Sequence, residues 1–364
     1  MPRSLQPSTS SRTTIRGVDL FCGAGGLTHG LEKAGIEIAF GVDVDPACEF
    51  PFSANNKAQF LLESVEDLLP SKVSQAFDSA SVSLLAGCAP CQPFSAYSQG
   101  GKCRKDERWN LLTRFSALVG NLRPDLVTME NVPRLIHRTV FKDFVKSLER
   151  GRYHVFFKVV NCADYGVPQS RQRLVLLASK FGPIELIEPT HAPKTYKTVR
   201  QSIQKMPPLE AGEVCRKDAL HQACELSPLN LRRIRASQPG GSWRDWDKKL
   251  VARCHKKKSG KTYPSVYGRM SWDEIGPTMT TQYYGFGNGR FGHPEQDRAI
   301  SLREGAILQS FPKTYRFVPE GEPIYHKVIG RLIGNAVPVR LAEAIGKTMI
   351  HHVHRIAREK AEAA

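Results

Sequence analysis

No apolar run in this chain approaches the ~20 residues a membrane-crossing helix requires, so an anchored protein does not explain its basic balance. Acids are scarce, 35 Asp and Glu against 52 Lys and Arg, a formal charge of +17. That excess predicts attraction to a polyanion, nucleic acid first. No signal-peptide segment precedes the nine cysteines, and an odd number of widely scattered thiols does not suit a secreted disulfide framework. The thiols are expected to be reduced and intracellular. There is no internal repeat, and no low-complexity stretch beyond the N-terminal tail. The first sixteen residues lack any acid but hold Arg3, Arg12 and Arg16 among several Ser and Thr. They read as a disordered tail, with an organelle transit peptide as the weaker alternative. What is present, 41% hydrophobic and 24% charged residues in 364, is ordinary for a globular chain with one large core or two lobes.

The rest of the sequence is organised around GCAPCQPFS, Gly87 to Ser95. A short apolar run, Ser81 to Ala86, reads as a buried strand that delivers Cys91 onto a loop restricted by Pro90 and Pro93. Cys88 and Cys91 also form a Cys-x-x-Cys pair, but no second pair or Cys/His partner stands at zinc spacing. A thioredoxin-like pair would open a helix directly, whereas Gln92-Pro93-Phe94 continues into a polar loop through Gly100 and Gly101. The pattern favours a displayed nucleophile.

Order begins near Ile15. Val18 to Phe21 reads as a strand, Cys22 to Gly26 as a glycine turn, and Leu27, Leu31 and Ala34 as a helix ended by Gly35. A strand from Glu37 to Val42 then stops at Asp43, twenty residues beyond Gly23. Gly23, Gly25 and Gly26 do not match the dinucleotide fingerprint, which disfavours NAD; they permit close backbone approach of an adenosine-containing ligand, or serve packing alone. Further helices are expected at Pro46 to Asn55, Trp109 to Asn121 and Val140 to Glu149, with strands at Leu126 to Met129, Tyr153 to Val160 and Leu174 to Ala178. This alternation implies an α/β fold with a mainly parallel, doubly wound sheet.

The pattern breaks at Phe181-Gly182-Pro183. The expected organisation is a disordered tail over 1–14, a catalytic and cofactor-binding domain over 15–182, a smaller irregular domain over 183–300, and a return to the first domain over 301–364. Helices are expected at Leu302 to Gln309 and Pro338 to His351. From Arg232 to Lys261, eleven Lys or Arg and two Asp surround Trp243 and Trp246, which reads as a phosphate-contacting surface rather than a plain solvated face.

Two further clusters lie where open α/β sheets place their sites. Glu130 ends the strand after the Cys91 strand. In QSRQR, Gln169, Arg171 and Arg173 share one side of an extended segment by two-residue alternation. Singly, Glu130 also reads as a capped strand end and the arginines as an ion-pair edge. Together with Cys91 they describe a nucleophile, an acid and two cations facing one pocket.

At this point the sequence resembles the C5-cytosine DNA methyltransferases. DLFCGAGG at 19–26 is similar to the family's cofactor signature, GCAPCQPFS at 87–95 to its nucleophile loop and ENV at 130–132 to its acid motif. QSRQR at 169–173 resembles its paired-arginine segment, REGAILQSFP at 303–312 a late packing motif and IGNAVPV at 333–339 the final cofactor motif. The resemblance spans about Ile15 to Lys347. It implies S-adenosyl-L-methionine as methyl donor, with Phe21 on the adenine, the Gly23, Gly25 and Gly26 backbone near the amino-acid moiety, and Asp43 on the ribose. Val44, Val65 and Pro90 complete the expected pocket, closed by Asn335, Ala336 and Val337. Where the family commonly reads the adenine edge with an acid followed by an aliphatic residue, this chain has Ser64-Val65, with Glu63 as the substitute.

The resemblance further implies that Cys91 adds to cytosine C6 while Glu130 protonates or hydrogen-bonds N3, Arg173 holds O2 and Arg171 orients the site. No metal is called for. The cytosine would be flipped from duplex DNA at a cost of a few kcal/mol, and the 92–108 loop would close over it. DNA contacts are expected from Gln92, Ser95, Gln169, Thr278 and Thr280. The expected protein is a monomeric bacterial modification enzyme, cytoplasmic and nucleoid-associated, or in an organelle or nucleus if eukaryotic. A cognate restriction endonuclease would be a functional, not physical, partner. The competing readings are a tRNA cytosine-5 methyltransferase and a catalytically silent DNA-binding homologue.

Overall fold

Seven strands carry the architecture: β1 (Ile15–Leu20), β2 (Glu37–Asp43), β3 (Gln59–Leu62), β4 (Val82–Gly87), β5 (Leu126–Asn131), β6 (His154–Asn161) and β7 (Gln172–Ser179). They form one sheet in the order β3-β2-β1-β4-β5-β7-β6. In this computed structural model, residues 14–90 and 110–363 are described. All pairings on the β3 to β5 side are parallel, and β7 alone runs antiparallel to both of its neighbours. The mainly parallel α/β sheet is as the alternating pattern predicts. VSLLAG and LVTMEN are buried at every position, the unbroken burial of strands covered on both faces.

Helices α1 (Gly26–Ala34), α2 (Glu49–Ser53), α3 (Pro70–Ala76), α4 (Asn110–Leu122) and α5 (Thr139–Arg150) alternate with the strands. A second series follows: α6 (Val199–Ile203), α7 (Pro228–Arg235), α8 (Arg253–Lys256), α9 (Leu302–Leu308), α10 (His326–Asn335) and α11 (Val339–Glu362). The Pro46 to Asn55 helix is split into a 3-10 turn at Pro46–Cys48 and the short α2. Strand β3 and helices α3 and α10 have no counterpart in the sequence reading. Helix α11 runs well past His351, because Val353 and Ile356 extend its buried stripe and Arg355 pairs with Glu359 at 2.8 Å on its exposed side.

The chain divides into two compact units: Met1–Asn161 with Gln172–Pro189 and Val339–Ala364, and Cys162–Arg171 with Thr190–Pro338. The return to the first unit begins at Val339, where the sequence reading put it at 301. Within the first unit, α1 and α11 cross closely enough that small residues are obligatory. A Cβ on Gly30 would meet the Ala342 Cβ at 2.4 Å, and one on Gly346 would meet the Ala34 Cβ at 2.6 Å.

The second unit holds a buried ion pair at the start of α9. Ser301 caps the helix and Glu304 returns the bond to the Ser301 N–H, a capping box. Both Glu304 oxygens also accept from the fully enclosed Arg298, at 2.7 and 2.8 Å. Burial opposes the charge, but these bonds hold the Glu304 carboxyl down to about 2. Replacing Glu304 by Ala strands the Arg298 cation and is expected to cost about 3–5 kcal/mol, read as a fall in the urea midpoint of unfolding; an unchanged midpoint contradicts this.

Candidate active site

The parallel register aligns four strand ends. Leu20 of β1 lies beside Val42 of β2 and Gly87 of β4, and Gly87 lies beside Met129 of β5. The next residues along are Phe21, Asp43, Cys88 and Glu130, at the carboxyl edge where the strand order changes direction.

Phe21 turns the chain with φ +60°, and Gly23 and Gly25 follow at +54° and +86°, a run of left-handed backbone that glycine accommodates. A non-glycine residue there is held by its surroundings. Asp43 organises the turn: Oδ2 accepts from the Gly23 N–H at 2.9 Å and Oδ1 from the Asp45 N–H at 3.0 Å. Burial pushes its carboxyl up, against the pull of those bonds. Gly23 is half-buried, whereas Gly25 and Gly26 are buried. Val44 is exposed, Val65 is buried and Pro90 is exposed. The Ser64 hydroxyl accepts from the Glu66 N–H at 3.1 Å, and Glu63 pairs with Lys72 at 2.7 Å. The Glu63 carboxyl is thus engaged on its own side of the turn.

Beneath the turn, Asp19 is wholly enclosed. Thr28 donates to Oδ2 at 2.7 Å, and Oδ1 has no hydrogen-bond partner among the described residues. Burial, with the nearby Asp43 charge, raises the Asp19 carboxyl to about 7.

On the next strands, Glu130 is 3% exposed. Arg173 stands on β7 two residues from Val175, the partner of Glu130 across the antiparallel pair, so both face the same side. Its Nε lies 2.8 Å from Glu130 Oε1. This is an ionic contact without hydrogen-bond alignment, and Oε1 is left with no hydrogen-bond partner among the described residues. Oε2 accepts from the Cys88 thiol at 3.1 Å. Asn131 donates to the Ala89 carbonyl at 3.0 Å and accepts from the Val132 N–H at 2.7 Å, tying the end of β5 to the chain leaving β4. Cys91, Gln92, Ser95 and the rest of the 92–108 loop lie outside the described residues.

The other arginine is placed differently. Arg171 is buried in the second unit, donating to the carbonyls of Met279, Gly334 and Ala336 at 2.9, 3.0 and 3.4 Å. Gln169 is fully enclosed as well: its amide donates to Leu308 O and Gln309 Oε1 and accepts from the Met279 N–H. The expectation that Gln169 meets DNA is corrected by that enclosure. Residues 169–171 precede β7, so strand alternation does not carry all three side chains to one side. Gln309, which the sequence reading passed over, binds Ile333 O and Ala336 O at 2.7 and 3.2 Å. Asn335 is exposed, Ala336 half-buried and Val337 buried. Thr278 is exposed and donates to the Ser170 carbonyl; Thr280 is half-buried.

Trp243 and Trp246 are core residues, not surface aromatics. Trp243 stacks on His255 at 4.6 Å, and the Trp246 N–H donates to Ser237 at 2.8 Å. Ten of the eleven cations from Arg232 to Lys261 are exposed around that core, Arg233 being half-buried over the Trp246 ring.

The glycine turn after β1 and the acid held beside a cation at the end of β5, two strands along, lie at the carboxyl edge where α/β enzymes carry their sites. Residues 15–351 match the family described as C-5 cytosine-specific DNA methylase. The chain is 50% identical to the Type II methylase M.HgiDII of Herpetosiphon aurantiacus, over 91% of this chain and 94% of that protein. It is 32% identical to the Type II methyltransferase M1.BsuMI of Bacillus subtilis, covering 93% and 81%. Among solved structures, the Entamoeba histolytica methyltransferase EhMeth matches with TM-score 0.62 at 15% identity, over 94% of this chain and 99% of that one. The chain belongs to the C-5 cytosine-specific DNA methylase family and is a DNA cytosine-5 methyltransferase.

Because the folded Asp19 carboxyl sits above the ordinary value of 3.8, at about 7, the folded state binds more protons between those pH values. Asp19 therefore favours folding fully below pH 3.8 and loses that contribution as pH rises through about 7. Asp19→Asn is expected to remove a slope of order 4 kcal/mol over that window, read as urea stability against pH; an unaltered slope contradicts the assignment.

Proposed function

We propose that this methyltransferase moves the methyl group of S-adenosylmethionine to C5 of a cytosine swung out of duplex DNA, through a transient bond between Cys91 Sγ and C6. The observation that carries this reading is the enclosed Glu130 carboxyl at the carboxyl edge of the sheet, one oxygen of which has no hydrogen-bond partner among the described residues, one strand from the segment leading to Cys91. A carboxyl so placed can serve N3. When the thiolate adds to C6, the C5–C6 electron pair shifts toward N3 and Glu130 supplies the proton there, leaving C5 as an enamine carbon. After methyl transfer, water takes the C5 proton as the thiolate is expelled, which restores the ring, and the N3 proton returns to Glu130. Arg173, in contact with the same carboxyl, is proposed to present its guanidinium to O2.

The chain's own residues fit the donor. The left-handed turn from Phe21 to Gly25 lets a ligand approach the backbone, and the enclosed Asp19 and half-buried Asp43 place two acids beneath it, suited to a sulfonium and a ribose. When bound, S-adenosylmethionine supplies an electrophilic methyl group. Phe21, Val44, Val65 and Pro90 are proposed to line its site, and Asn335 to Val337 are proposed as cofactor residues on the resemblance of IGNAVPV to the family's final cofactor motif. Arg171 is proposed as a residue that orients its neighbours through backbone carbonyls.

The second unit is proposed to read the target sequence, with Thr278 and Thr280 among its DNA contacts; Gln92 and Ser95 are proposed as DNA contacts as well. The exposed cations around Trp243 and Trp246 would set the phosphate register, supplying salt-dependent affinity without sequence information. The enzyme is proposed to act as a monomeric Type II modification enzyme in a bacterial cytoplasm, alongside a cognate endonuclease.

Plasmid DNA treated with the protein and S-adenosylmethionine, then sequenced after bisulfite conversion, is expected to show 5-methylcytosine within one recurring sequence. Methylation of tRNA but not of the duplex sinks this reading. Glu130→Gln is expected to lower kcat about a hundredfold to ten-thousandfold with DNA affinity retained, measured by methyl incorporation and gel shift.

A further inference from the structure

The second cysteine of the nucleophile segment has no part in the chemistry set out above. Cys88 directly follows β4, as Glu130 follows Met129 on the neighbouring strand, and the Gly87 to Met129 register brings their side chains together. The thiol donates to Glu130 Oε2 at 3.1 Å. Cys88 is half-buried and Glu130 is enclosed, so water competes poorly for that oxygen.

The two carboxyl oxygens are therefore not equivalent. Oε2 is occupied by the thiol; Oε1 has the charge contact with Arg173 Nε at 2.8 Å but no aligned donor. A carboxyl group with neither oxygen fixed can rotate about its last bond and present either one, at a cost in the geometry of proton delivery. With Oε2 pinned, Oε1 is the oxygen presented to an incoming base. We propose that Cys88 is a positioning residue for the methyl-transfer reaction: its reduced S–H fixes the plane of the Glu130 carboxyl and reserves Oε1 for cytosine N3. This rests on the role given to Glu130 above.

Arg173 from β7 and Cys88 from beyond β4 both face the carboxyl, one on each oxygen. A thiol is a weak donor, so its role here is to orient rather than to bind strongly. Serine keeps an O–H on a shorter reach, whereas alanine removes the donor at little change in volume.

The experiment compares Cys88→Ala and Cys88→Ser with the wild-type enzyme, and is read in two ways. In single-turnover methylation of the target duplex, Cys88→Ala is expected to be about tenfold slower, corresponding to about 1.4 kcal/mol, with unchanged DNA affinity and melting temperature. Cys88→Ser is expected to recover most of the rate. Independently of activity, carbon-13 NMR at one fixed pH is expected to show the Glu130 carboxyl resonance displaced in Cys88→Ala, where Oε2 has lost its donor, and restored in Cys88→Ser. An unmoved resonance with a wild-type rate overturns the proposal. So does a loss that serine fails to rescue and that tracks a lower melting temperature, since that is packing. If the wild-type protein methylates no DNA while the resonance moves as stated, the function reading fails and the Cys88 contact stands.

Discussion

A carboxyl group shut away from water at the end of β5 is the constraint on which the site depends. Enclosing a charge costs several kcal/mol unless a counter-ion and hydrogen bonds offset it, and at Glu130 the offset is deliberately incomplete. Arg173 brings charge to one oxygen and Cys88 a hydrogen bond to the other, and among the described residues the oxygen facing Arg173 has no hydrogen-bond partner. In the proposed mechanism that is the oxygen a ring nitrogen would meet. The sheet supplies the rigidity. Strands buried along their whole length hold Glu130 and the departure point of the cysteine loop one strand spacing apart.

The paired arginines show how one short segment serves two frameworks. The boundary between the compact units falls between Arg171 and Gln172. Arg173 belongs to the strand that faces Glu130. Arg171 belongs to a polar knot in which Gln169, Gln309 and three backbone carbonyls draw together stretches more than a hundred residues apart in sequence. The knot depends on close backbone approach, since a Cβ on Gly334 would stand 2.3 Å from the Thr280 carbonyl. Motifs that look like separate cofactor, arginine and recognition elements in the sequence are thus partly one hydrogen-bonded structure within the second unit.

Much of this was legible before any coordinates. The apolar run before Cys91, the glycine turn and the spacing from Gly23 to Asp43 are local signals, and local sequence carries strand and turn chemistry directly. The role of Asp43 in gripping the turn through Gly23 and Asp45 was not legible, because it depends on where β2 ends relative to β1. Cys88 was weighed only as half of a Cys-x-x-Cys pair; its neighbour is across the sheet, and inter-strand register has no signature in a single sequence. Two-residue alternation misplaced Gln169 and Arg171 because the strand starts only at Gln172. The tryptophans at 243 and 246 sat in a basic run and read as surface, yet they pack with Ile234, Val266 and Phe286, residues too scattered along the chain to announce a shared core.

The proposed chemistry requires a sulfur–carbon bond to one particular residue. A duplex carrying 5-fluorocytosine at the methylated position, incubated with the protein and S-adenosylmethionine, should leave a denaturation-resistant complex whose cross-linked peptide carries the base on Cys91. Full methylation of the normal duplex with no trapped complex on the fluorinated one, or a cross-link at Cys88 instead, would contradict it.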